Sequence, residues 1–74
     1  MKEQTWNYRI VGNKKLGFAI HEVFYTNGKP NSWTKDEVSP YGETLEEFKK
    51  SASLYRRAFL EPPLFIKGNK LFPL

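Results

Sequence analysis

With 74 residues, no cysteine and a formal charge of +4, the chain has room for one domain and one small core. It excludes disulfides, thiolate metal sites and a cysteine nucleophile. No apolar run reaches the ~18 residues of a membrane span, and MKEQTWNYR has no apolar signal core, so the chain reads as soluble and cytoplasmic.

A chain this short buries roughly 60% of the surface its unfolded form exposes. The twelve aromatic residues therefore matter, since each large ring removes ~150–250 Å² from water when covered. Twelve Lys and Arg stand against eight Asp and Glu. That mild excess fits an ordinary solvated surface, and it also permits contact with nucleic acid or an acidic protein.

Met1 to Gln4 is polar and reads as a frayed end. TWNYRIV then alternates, with Trp6, Tyr8 and Ile10 on one face and Asn7, Arg9 and Val11 on the other, which predicts a half-buried strand. Gly12-Asn13-Lys14 is turn chemistry. LGFAIHEVFYT reads as a second strand. A three-residue loop between the two pairs Ile10 with Leu16, Tyr8 with Phe18 and Trp6 with Ile20, gathering apolar partners on one side.

Asn27-Gly28 predicts a type I′ turn. The third strand follows from about Lys29 to Lys35. Pro30 donates no ladder bond and so marks it as an edge. A two-residue turn sets Trp33 opposite Glu22, on the face of Phe24. Residues 36–43 read as a connecting loop in which Tyr41 either packs on the sheet or stands free.

The single helix is predicted over Thr44 to Leu60. Thr44 and Glu47 form a capping box, and Leu45, Phe48, Ala52, Tyr55 and Phe59 make one apolar stripe. Lys49, Lys50, Arg56 and Arg57 complement the negative end of the helix dipole, and Pro62-Pro63 stops the helix. In the tail, Gly68-Asn69 sits between two apolar arms. It suits a type II′ hairpin with Ile66 facing Leu71 and Phe65 facing Phe72.

The expected fold is thus α+β: a single domain over 1–74 with a three-stranded antiparallel sheet (β-β-β-α). One helix packs on one face, and residues 64–74 form an apolar C-terminal arm or hairpin that joins the sheet or a partner.

Gly42, Thr44, Glu46 and Glu47 form a G-x-T-x-E-E turn after antiparallel strands. In this the chain resembles small HicB-like antitoxins, which place one helix on such a sheet. Trp6 to Arg9 (W-N-Y-R) and Ala19 to Tyr25 (A-I-H-E-V-F-Y) are similar to a group of uncharacterised bacterial and phage-associated proteins. Together these stretches cover most of residues 6–64. The resemblance implies a non-catalytic module that binds a nuclease or toxin. The 74 residues carry no appended DNA-binding domain of the kind many such antitoxins have, and they add the apolar tail.

Few residues suggest catalysis. His21 is the lone histidine and reads as an exposed or partner-contacting residue, and Glu22 as a rim carboxylate. No metal constellation, cofactor motif, phosphate loop or nucleophile elbow is present in the sequence, so no enzyme is expected. The sheet face away from the helix carries Arg9, Val11, Ala19, His21, Val23 and Tyr25. Either a protein partner covers it or the tail does. The partner reading uses Arg9, His21, Val23, Tyr25, Phe65, Ile66 and Phe72, with a homodimer among the options. The competing reading is a small basic RNA- or DNA-binding protein using Lys14, Lys15, Lys49, Lys50, Arg56 and Arg57.

Overall fold

The computed structural model describes residues 3–73. The chain forms β1 (Gln4–Asn13), β2 (Gly17–Thr26), β3 (Lys29–Trp33), α1 (Leu45–Leu60), β4 (Leu64–Lys67) and β5 (Lys70–Pro73). The α+β class holds, but the sheet has five strands in the order β3-β2-β1-β4-β5. It is also mixed. β4 pairs in parallel with β1, Val11 opposite Leu64 and Gly12 opposite Phe65. The arm therefore joins the sheet beside β1; its last residue, Leu74, lies outside the described residues.

The turns follow their local chemistry. Asn27 and Gly28 both have positive φ, 51° and 80°, as a type I′ turn requires. Gly68 has φ 66°, and the tail hairpin pairs Phe65 with Phe72 and Ile66 with Leu71 as expected. In the first hairpin the register differs. Ile10 pairs with Ile20, Tyr8 with Glu22 and Trp6 with Phe24. Asn13 Oδ1 accepts from the Leu16 amide at 2.8 Å, which folds Lys14 to Leu16 into the loop and lengthens both strands. The partner shift is even, so every side chain keeps its expected face. Of the polar start, Met1 and Lys2 lie outside the described residues, and Glu3 is tied down: its amide donates to Asn27 Oδ1 at 2.9 Å.

Trp33 does not face Glu22. A bulge between Phe24 and Tyr25 leaves Asn31 unpaired and sets Trp33 opposite Val23, moving the indole to the other side of the sheet. There it helps form the core. Val11, Val23, Leu64 and Leu71 are buried together, with Tyr25, Trp33 and Ile66 packed against them. All seven lie on the face away from the helix. The outer strands β3 and β5 touch each other, so the sheet curls and this face becomes its concave interior.

α1 lies on the convex side against β1. Thr44 caps it, its Oγ1 accepting from the Glu47 amide at 3.1 Å, while Glu47 Oε2 accepts from the Glu43 amide. The anticipated stripe is only partly used. Tyr55 and Ala58 are the buried helix residues, and Leu45, Phe48 and Phe59 are exposed. The ring of Tyr55 packs on Tyr8, centroids 4.4 Å apart, so contact concentrates near the C-terminal half. The segment between β3 and α1 runs along β2, Thr34 and Val38 donating backbone bonds to Glu22 and Ile20. Tyr41 stands free at 73% exposure.

Candidate functional site

The face expected to be open is the core, and the tail covers it. Val23 has no exposed surface, and Arg9 is 8% exposed, so neither offers contact area. His21, Tyr25, Phe65 and Ile66 are half-buried. Of the expected contact set Phe72 alone is exposed, and it belongs to the convex side, where its partner Phe65 shares a row with Gly12 and Phe18.

Arg9 is held by the chain that follows the helix. Its guanidinium donates to Tyr25 Oη at 2.9 Å and to the carbonyl of Pro62, and it lies 3.6 Å from the Glu61 carboxylate. Tyr25 in turn donates to Asn7 Oδ1 at 2.8 Å. Nε of Arg9 is buried without a partner among the described residues. A guanidinium offers five donors in a fixed fork, so it can bind a carbonyl, a phenol and a carboxylate at once. The arrangement fastens the α1–β4 connection to β1.

His21 Nδ1 lies 2.9 Å from the carbonyl oxygen of Thr34. A carbonyl only accepts, so Nδ1 carries the proton in the neutral ring and Nε2 is an acceptor. The imidazole lines a mixed cavity of about 560 Å³ at the end of the concave face, with Trp33, Lys35, Asp36 and Glu37 also in its wall. Among the described residues no group of three or more His, Asp or Glu side chains could hold a metal ion.

The accessible apolar surface lies on the opposite side. Trp6, Phe18, Phe24, Phe59 and Phe72 are all exposed, together with Leu45, Phe48, Leu54 and Leu60 of α1. Alternation puts Trp6, Tyr8 and Ile10 of β1 on this face with their partners Phe24, Glu22 and Ile20. Ile10, Phe18, Ala19, Ile20 and Phe59 line an apolar groove of about 310 Å³ between the end of the helix and the sheet. Trp6 meets Tyr8 edge-on at 5.2 Å, which continues the aromatic surface toward the other end of β1. The Tyr8 hydroxyl has its pKa raised, first by desolvation and then by the neighbouring Tyr55 and Glu22.

The basic residues expected for nucleic acid are exposed in two groups, Lys14 and Lys15 in the β1–β2 turn and Lys49, Lys50, Arg56 and Arg57 on α1. Sequence reading overlooked Lys67 and Lys70. They sit directly opposite one another in the tail hairpin. The signal was present, since pairing Phe65 with Phe72 across a two-residue turn places these lysines face to face.

No family model, curated protein or solved structure matches the chain. No helix among the described residues is long and apolar enough to cross a membrane.

Proposed function

We propose that the chain is a non-catalytic protein-interaction module, antitoxin-like or inhibitor-like in action, whose contact surface is the convex side of the sheet and the exposed flank of α1. The observation that carries the reading is the groove of Ile10, Ile20 and Phe59, open to solvent and on the same face of the sheet as the exposed rings of Trp6 and Phe24. Small soluble domains rarely leave so much contiguous apolar surface uncovered, and such patches mark partner sites. Aromatic anchors beside a pocket are also where binding energy concentrates. A nuclease or toxin is the partner class that the sequence resemblance suggests, and a second copy of the chain would use the same surface.

The test compares wild type with the double variant Trp6→Ser, Phe59→Ser, both positions being more than half exposed. Light scattering over a concentration series reports self-association. Affinity capture from the source cell, followed by reconstitution with the purified partner, reports a second protein. Each lost aromatic should weaken the complex by about 2 kcal/mol. A wild type that is monomeric and retains the same proteins as the variant sinks the reading.

A further inference from the structure

At the turn end of the convex face the chemistry changes from apolar to aromatic and basic. Phe18, Gly12, Phe65 and Phe72 occupy one row across β2, β1, β4 and β5. Gly12 has no side chain, so the rings of Phe18 and Phe65 close over it, centroids 5.6 Å apart and nearly perpendicular. Phe18 and Phe72 are 50% and 44% exposed.

Two residues further along the tail hairpin, Lys67 lies directly opposite Lys70, and both are exposed. Like charges in that position destabilise a hairpin unless something compensates them. The parallel β1–β4 pairing brings the β1–β2 turn, with Lys14 and Lys15, to the same end of the sheet. Asn13 Nδ2 joins the two turns through the Ile66 carbonyl at 3.1 Å. Among the described residues the one ion pair is Arg9–Glu61, so none of the four lysines is matched by a carboxylate. Asp36 and Glu37 line the concave cavity with Lys35, a cavity whose wall also includes Leu16, Gly17 and Phe18, so the nearest carboxylates lie on the other side of the Phe18 end of the sheet from Lys67 and Lys70.

We infer that this end of the sheet binds single-stranded nucleic acid, with unpaired bases stacking on Phe72 and Phe18 and phosphates held by Lys67, Lys70, Lys14 and Lys15. Stacking on exposed rings needs bases free of a duplex, and cations beside the rings suit the backbone that links those bases. Successive rows on one face are about 7 Å apart. That separation lets one nucleotide place its base on the phenylalanine row and its phosphate on the lysine row. An acidic polypeptide would satisfy the lysines and leave the rings unused. The site shares Phe18 with the groove proposed above for a protein partner, but Phe72, Lys67 and Lys70 lie outside that groove, so substitutions at these three residues test nucleic-acid binding separately from the Trp6 and Phe59 substitutions.

The experiment is a titration of the full chain into fluorescently labelled oligo(rU) and oligo(dT) of about 12 nucleotides, with the duplex and polyglutamate as comparators. Four phosphate contacts predict that log K falls against log salt with a slope of about −3. The variant Lys67→Ala, Lys70→Ala should halve that slope. Phe72→Ala should weaken binding about tenfold with the slope unchanged, and Phe72→Trp should restore it. Thermal melts show that each variant is folded. The inference is overturned by no binding at low salt, by equal binding of duplex or polyglutamate, or by folded Phe72→Ala binding as wild type. A preference between oligo(rU) and oligo(dT) identifies which nucleic acid is bound.

Discussion

The guanidinium of Arg9 lies 3.6 Å from the carboxylate of Glu61, linking the middle of β1 to the residue that ends α1. The same guanidinium donates to the Pro62 carbonyl, so it fixes where the chain turns from the helix into β4. That placement lets Leu64 pair beside Val11 and enter the core. The charge serves the architecture.

Replacing Arg9 by Ala leaves the Pro62 carbonyl and the Tyr25 hydroxyl short of a donor and removes the link to α1. It should cost about 3 kcal/mol, measured by urea unfolding. Arg9→Lys should recover little, because a point charge cannot span the three acceptors. Glu61→Gln should cost less than about 1 kcal/mol, since the Glu61 side chain is 35% exposed and the carbonyl contact persists.

Gly12 should accept no side chain. A Cβ there would lie 2.0 Å from the backbone oxygen of Gly17 and 2.8 Å from Cα of Phe18. The neighbours are backbone atoms of the paired strand, so relief requires β1 and β2 to separate locally. Gly12→Ala should destabilise by about 2 kcal/mol or more, and amide exchange should accelerate first near Phe18 and Phe65.

The Tyr8 hydroxyl adds one alkaline-sensitive contribution to stability. Its pKa is raised in the folded chain, so folding holds the proton more tightly than the unfolded chain does. This contribution is fully present below the ordinary tyrosine value of about 10 and is lost as pH rises through the higher folded value. Denaturant midpoints measured upward from neutrality should therefore fall across that window. Tyr8→Phe should remove this part of the fall.

Short-range chemistry was legible in the sequence. Asn27-Gly28, the Thr44 cap and the pairing across Gly68-Asn69 depend on neighbouring residues, and each forms as read. The core side of the sheet was not legible. Both faces of β1 and β2 alternate with comparable apolarity, so the helix stripe looked decisive. What decides is the curl that brings β3 against β5 and the parallel contact between β1 and β4. Neither has a local signature. The bulge at Asn31 turned Trp33 inward in the same silent way. Arg9 looked like surface because its acceptor at Pro62 is 53 residues distant in the chain. For the candidate site, the consequence was an inversion: the face read as open is interior, and the helix side carries the exposed rings.

The tail is where this inversion is tested most directly. Leu64 and Leu71 are 2% and 8% exposed and complete the cluster formed by Val11 and Val23. A chain ending before Leu64 loses half of that buried cluster and leaves the concave face wet. It should show no cooperative thermal transition, and it should bind hydrophobic dyes. Leu64→Ala, which keeps the hairpin backbone, should cost about 2–5 kcal/mol. Phe72→Ala, on the exposed side of the same hairpin, should cost far less. Equal losses at Leu64 and Phe72 in urea melts would contradict a core on the concave side, because the two residues lie on opposite faces of neighbouring strands.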